Sequence, residues 1–312
     1  MRRSTREPLP VAGPLPGPAS EEPVKGRHPQ VARATRRRGR PLAAGADRYA
    51  LYQRSVQSPD FDIALMSRIY RAHNGRLPLL LREDFCGAAA LACAWAGSRP
   101  DRKAYGIDLD PEPLAWGALH IWQALPVRAQ RRVQLVQGDV RTVRTPRADL
   151  VAAHNFSFFI FRERKQLLDY FRSARRQLAA GGLLMLDVLG GSDTQIEDRE
   201  EVRRIGGGVR YIWEQKRYDP IGNRALFAIH FAFKDGSLLK DAFTYDWRMW
   251  TIPELRELLA EAGFAFSEVY WEDAEGDTGE GSGVFRPRKR APAETCWMAL
   301  IAAGTGAPRG GR

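Results

Sequence analysis

The sequence predicts an α/β fold: a mostly parallel sheet with helices on both faces, carrying a small antiparallel β insertion. Three observations predict it. The stretch Leu79–Asp110, LLLREDFCGAAALACAWAGSRPDRKAYGIDLD, reads as strand, tight turn, helix and second strand. Apolar runs and helical stripes then alternate as far as Val188, as they do in a sheet built from βαβ units. Between Val209 and Trp247 the apolar period becomes two and an Asp235-Gly236 turn intervenes, which marks hairpins.

Composition sets the bounds. A chain of 312 residues with 44% hydrophobic content can bury one large core, and no apolar run is long enough to suggest a membrane span. The net charge of +11 is unevenly placed: residues 1–46 hold ten Arg/Lys against three Glu, a net +7, which leaves +4 for the remainder. This Pro/Arg-rich segment has little to bury and is expected to be a disordered tail. Cys86, Cys93 and Cys296 make no metal spacing and leave one thiol over in any disulfide scheme, which fits a reducing cytosol and no metal site.

Taken in order, ordered structure is expected from Asp47. A first helical segment runs to about Gln57, and a second, Asp60–His73, repeats Ile63, Met66, Ile69 and Tyr70 on one face. The first strand ends at Glu83-Asp84-Phe85-Cys86-Gly87, and an alanine-rich helix starts near Ala88. The second strand, Tyr105-Gly106-Ile107, delivers Asp108, 21 residues after Gly87. This is the layout of a nucleotide-binding unit, in which a turn approaches the ligand and a later carboxylate receives ribose hydroxyls. With a single glycine, the turn disfavours a pyrophosphate and hence a nicotinamide dinucleotide.

Asp110 then caps a helix with Pro111 in its first turn and Leu114, Ala118, Ile121 and Leu125 as its stripe. A third strand, Val133–Gln137, leads to Gly138-Asp139-Val140, and a fourth, Ala148–Ala153, leads to His154-Asn155-Phe156. A helix over Glu163–Ala180, ended by Gly181-Gly182, precedes the fifth strand Leu183–Val188, whose apolar run is interrupted only by Asp187. Three antiparallel strands are expected within 209–247. Thr251-Ile-Pro-Glu254 is a capping box opening a helix that stops at Gly263. Phe264–Trp271 and Thr295–Ala302 read as strands around a flexible loop over 273–293, and residues 304–312 read as a second tail.

The segment Glu83–Ala89 resembles the first motif of class I S-adenosylmethionine (SAM)-dependent methyltransferases, an acidic residue followed by x-G-x-G-x-G, with Phe85 and Ala89 standing at two glycine positions. The order of the later elements is similar to that family over about Asp47–Ala303. The resemblance implies a Rossmann-like sheet of seven strands, mostly parallel with an antiparallel final strand, and an insertion after strand 5. It implies SAM as cofactor, met by Glu83, Phe85, Cys86 and Gly87 at the turn and by Asp108 and Leu109 at the ribose. Asp139 and Val140 would stand at the adenine and Asn155 near the reactive sulfonium. Tyr49, Tyr52 and Gln57 fall in the segment that lids the substrate in that family.

His154, Tyr211 and Glu214 are the candidate bases for an acceptor that must lose a proton. Trp213 belongs to a row of insertion aromatics that can wall a pocket for a cationic amine, at roughly 0.5–2 kcal/mol per cation–π contact, or fill the seam with the main domain. Arg248 is a candidate partner for a substrate carboxylate. The expected acceptor is a small molecule methylated on N or O, with no membrane involved. An RNA or protein acceptor docked by the basic tail, and a non-catalytic SAM-binding scaffold, remain the alternatives.

Overall fold

The computed structural model describes residues 40–275 and 280–306. Two sheets organise the chain. The larger has eight strands in the order β11-β10-β12-β5-β4-β1-β2-β3, formed by β1 (Leu80–Asp84), β2 (Lys103–Asp108), β3 (Val133–Gln137), β4 (Ala148–Ala153), β5 (Leu178–Gly190), β10 (Phe266–Glu275), β11 (Glu280–Pro287) and β12 (Trp297–Gly304). The second is antiparallel, β6 (Arg199–Arg204), β7 (Val209–Asp219), β8 (Arg224–Phe233) and β9 (Leu238–Arg248), in sequential order. The first five strands pair in parallel, and β12 runs antiparallel to both β5 and β10.

The helices are α1 (Arg48–Ser55), α2 (Pro59–Asn74), α3 (Ala90–Ser98), α4 (Pro111–Gly117), α5 (Val127–Gln130), α6 (Arg164–Gln177) and α7 (Ile252–Glu261). On one face of the large sheet, Met66, Ile69 and Tyr70 of α2 and Trp95 of α3 bury against Leu81 and Leu183. On the other, Leu167 and Phe171 of α6 and Leu255 and Leu259 of α7 join a core that continues into Tyr211, Trp213, Phe227 and Trp247 of the second sheet. The rings that the period-two pattern exposed are therefore seam residues: Trp247 meets Phe156 at 5.9 Å and Phe159 at 6.0 Å between centroids.

Several expectations change. The helix expected over 163–180 stops at Gln177, and Gly181-Gly182 lies within β5. There it makes an irregularity in pairing with β4: Gly181 has φ +75°, and a Cβ on Gly182 would come 2.9 Å from the Ala148 carbonyl. The expected three-stranded insertion has a fourth strand, β6, whose Arg-Glu-Glu-Val-Arg-Arg sequence hides it because a charged edge strand needs no buried alternation. The stretch expected as a loop at 273–293 is, in its described part, the end of β10 and the strand β11, with Phe285 buried and paired to Glu272. Of the basic segment, residues 1–39 lie outside the described residues. Leu42–Gly45 forms a 3-10 turn whose Leu42 N–H donates to Asp235 Oδ2 (2.9 Å) and Ala43 N–H to Ser237 Oγ (3.0 Å). Of the second tail, residues 307–312 also lie outside them. No described helix is long and apolar enough to cross a membrane.

Candidate active site

The first turn keeps the backbone of its motif without its glycines. Phe85, Gly87 and Ala89 have φ of +58°, +53° and +56°. A left-handed residue other than glycine costs about 1–2 kcal/mol. At Phe85 that cost is offset by packing, since its ring meets Phe161 and Tyr170 edge-on at 5.7 and 5.4 Å, and such pairs contribute about 0.5–1.5 kcal/mol each. The turn is pressed on by its neighbours. A Cβ on Gly117 of α4 would lie 2.1 Å from the Ala88 carbonyl, and one on Gly106 of β2 would lie 3.1 Å from Cys86 Sγ. Gly87 differs: a Cβ there meets no protein atom within 4 Å, so the space in front of the turn is open.

Two of the expected cofactor residues turn their side chains into the fold. Glu83 Oε2 accepts from Ala92 N–H (2.8 Å), supplying an acceptor to the first turn of α3, where Ala89 has no side chain to cap with. Burial, with Asp62, Asp108 and Asp84 adding repulsion, pushes Glu83 up to about 8. Cys86 is buried, and its thiol sits well above the usual range for the same reason. Asp108 ties the site together, accepting from Gly87 N–H (2.6 Å) and Asp110 N–H (2.9 Å), while Leu109 beside it is 68% exposed. Burial raises the Asp108 carboxyl.

Asp139 carries a forked ion pair with Arg141 (2.6 and 3.0 Å), which holds its carboxyl below the usual range. Val140 is buried, and its carbonyl accepts from Arg82 Nη2 (2.8 Å). Arg82 was not singled out from sequence. Its fully buried guanidinium also donates to Asp84 Oδ1 (2.7 Å) and the Val143 carbonyl (3.0 Å), fixing the end of β3 against β1.

Beyond the ends of β4 and β5 lies a cavity of about 350 Å³. His154, Asn155, Phe156 and Asp187 line it from the strand ends. Tyr52, Gln57, Phe61 and Asp62 line it from α1, α2 and the link between them. Tyr211, Trp213, Tyr245 and Trp247 come from the second sheet, and Glu272, Gly283 and Phe285 from the β10–β11 arm. Asn155 and Phe156 are both left-handed, with φ of +56° and +55°, and Asp187 holds them there by accepting from their N–H groups at 2.6 and 2.9 Å.

Charged groups of both signs line the cavity, since Arg54, Arg203 and Arg204 join Asp62, Asp187 and Glu272. Burial pushes Asp62 up to about 7 and Asp187 up to about 6. His154 Nδ1 lies 3.8 Å from Asp62 Oδ1, its Nε2 is buried with no partner among the described residues, and burial lowers its pKa against the opposing charge of Asp187. Tyr52 is pushed up to about 12 by burial, and Tyr211 and Tyr245 are raised as well. At neutral pH all three therefore present O–H groups rather than phenolates.

The structure thus brings Tyr52, Gln57, His154, Asn155, Tyr211 and Trp213 around one cavity and leaves three of the catalytic and substrate candidates outside it. Tyr49 packs on Trp116 and Phe243 and accepts from Arg48 (2.8 Å). Glu214, one residue from Trp213, lies on the opposite face of β7 by strand alternation and pairs with His230 Nε2 (2.8 Å) and Lys216 (3.3 Å). It is no base for this cavity. Arg248 stacks on Trp250, 3.7 Å from the ring centroid, and pairs with Glu254 (3.2 Å), so it braces α7 instead of meeting a substrate. Ligand atoms of Glu214, His230 and Asp241 lie within 4.8 Å of one another, but Lys216 bridges the two carboxylates and the Asp241 N–H donates to His230 Nδ1 (2.7 Å), so both ring nitrogens are engaged. Asp62 and Asp187 were missed as site residues. Asp187 had a signal, a lone charge inside an apolar strand, whereas Asp62 reads as an ordinary exposed acid in the first turn of α2.

Comparison with known proteins agrees with this fold. Residues 84–186 match the profile of a family described as a methyltransferase domain. Among solved structures, the chain is similar to the CcbJ methyltransferase from Streptomyces caelestis, with a TM-score of 0.59, 18% identity, and 81% of this chain and 98% of that one covered. It is also similar to CalS10, an amino pentose methyltransferase from Micromonospora echinaspora (TM-score 0.57, 17% identity, 81% and 95% covered). A third is the sugar N-methyltransferase KedS8 from Streptoalloteichus sp ATCC 53650 (TM-score 0.56, 18% identity, 88% and 98% covered). Comparison with curated protein sequences gives no match.

Proposed function

We propose that this chain, whose residues 84–186 match a family described as a methyltransferase domain, is a class I SAM-dependent methyltransferase that delivers the methyl group to the nitrogen of a small-molecule amine held in the cavity beyond β4 and β5. The observation that carries the reading is the meeting, in one cavity, of the carboxyls of Asp62 and Asp187 with the rings of Tyr52, Trp213, Tyr245 and Trp247. Carboxylates and aromatic faces both favour a cationic amine. That two structures of similar fold are an amino pentose methyltransferase and a sugar N-methyltransferase supports this reading.

The turn suits the cofactor. Gly87 leaves clear space before it, and Asp108, with two backbone donors bound, keeps lone pairs for ribose hydroxyls. When bound, SAM supplies a methyl group already activated by its sulfonium. The protein's tasks are then placement and proton removal. Orientation can supply up to about 7–11 kcal/mol of barrier lowering, and the cavity walls provide it by enclosing the acceptor. Asp62 is the base in this reading: a carboxyl titrating near 7 is half ionised at neutral pH and can take a proton from an ammonium, freeing the nitrogen lone pair. His154 stands 3.8 Å from Asp62 at the end of β4, and Asp187 fixes the Asn155-Phe156 turn.

Incubating the full chain with methyl-labelled SAM and matched pairs of sugars, one bearing an amine and one a hydroxyl at the same carbon, tests the proposal. Label is expected only on the amine. Transfer to the hydroxyl partner, or to RNA or protein in place of either sugar, would overturn it.

A further inference from the structure

We propose that the acceptor carries, besides its amine, an anionic oxygen group, a phosphate or a carboxylate, which docks on Arg203 together with Arg54 and Arg204. The proposal deepens the reading above and rests on it, because these three arginines line the same cavity. Arg54 comes from the end of α1, and Arg203 and Arg204 from the end of β6, a different wall from the strand ends that supply His154 and Asp187.

Their hydrogen bonds fix the guanidiniums without neutralising them. Arg54 Nη2 donates to the Ile205 carbonyl (2.8 Å), and Arg203 Nη2 donates to the Ser55 carbonyl. The Arg203 guanidinium lies 4.6 Å from the Tyr211 ring centroid. Its Nε is buried and has no partner among the described residues. A desolvated N–H donor left in this way costs about 1–3 kcal/mol, and with essentially no accessible surface this Nε is not itself the docking point. The nearest acid along β6, Glu201, is bound to Arg199 (3.0 Å).

Three carboxyls also line the cavity, and none cancels this charge at close range. Glu272 accepts from Gly283 N–H (2.8 Å), Asp187 holds the Asn155-Phe156 turn, and Asp62 stands beside His154. Burial pushes Asp62 up to about 7, so near neutral pH only part of its negative charge is set against the arginines. A planar guanidinium matches the paired oxygens of a phosphate or carboxylate better than a point charge would. The cavity then selects a molecule with an amine for the carboxyl side and an oxyanion for the arginine side.

The test titrates the full chain with inorganic phosphate, pyrophosphate and acetate at constant ionic strength, reading the tryptophan fluorescence to which Trp213 and Trp247 contribute from the cavity wall. Saturable binding of phosphate or pyrophosphate assigns a phosphate group, and saturable binding of acetate alone assigns a carboxylate. In either case Arg203→Met is expected to weaken binding at least tenfold. Arg204→Gln, at an exposed position that tolerates substitution, should weaken it several-fold and stands in should the first variant fold poorly. No saturable binding of any probe, or equal affinity in folded variants, would overturn the proposal. Calorimetry with SAM on the same preparations separates the two claims. Wild type that binds SAM but no oxyanion sinks only this one, whereas wild type that fails to bind SAM sinks the methyl-transfer reading.

Discussion

Residue by residue, the first turn separates what a motif demands of the backbone from what it demands of side chains. Phe85 and Ala89 occupy glycine positions and still adopt the left-handed backbone, Phe85 because its ring packs on Phe161 and Tyr170. Gly87 alone faces open space. Gly87→Val should abolish SAM binding, because a branched side chain would fill the ligand's space at a φ such residues avoid, while circular dichroism shows a folded chain. Wild-type affinity in calorimetry would refute this account of the turn. Asp62 carries the chemical prediction: Asp62→Asn should lower kcat about 10²–10⁴-fold without changing SAM affinity. Because the base must be ionised, wild-type kcat should rise with pH through about 7, and the variant's pH–rate profile should lack that limb.

Among the elements, the strand ends decide the site. The turn after β4 holds two successive left-handed residues that are not glycine, and its geometry depends on Asp187 from β5. Asp187→Ala leaves two backbone N–H groups without their acceptor and should lower stability by about 1–3 kcal/mol in urea unfolding, with Asp187→Asn losing less. An unchanged unfolding midpoint in Asp187→Ala would show that the turn supports itself. β6 and β11 are edge strands of their sheets, and each contributes to the cavity, β6 through Arg203 and β11 through Phe285. Neither was legible, because a strand paired on one side and half solvated needs no apolar alternation.

For the whole molecule, the buried acids tie stability to pH. Glu83, Asp62, Asp84 and Asp187 are raised to about 8, 7, 6 and 6. Between their unfolded values, near 4, and these folded ones, the native chain keeps protons that the unfolded chain has released, so each lowers stability as pH rises through that window. His154, lowered in the fold, acts oppositely below its unfolded value near 6.5. Four carboxyls outweigh one imidazole, and the urea midpoint should fall between pH 5 and 8. A midpoint that rises across that range would contradict the burial of these acids.

The sequence by itself determined the order of the main elements, the parallel core, the position of the first turn and the acid after β2, because each is written in local periodicity, capping or punctuation, while the antiparallel ending came with the family resemblance. It also assembled much of the cavity wall, since Tyr52, Gln57, His154 and Trp213 follow from their places in that order. Only the tertiary structure decided which side chains face inward together. Alternation on β7 separates Trp213 from Glu214, stacking takes Arg248 away, and burial beside His154 sets Asp62 apart from any other helical acid. Orientation across elements and desolvation arise from packing between residues distant in the chain, and no local pattern encodes them.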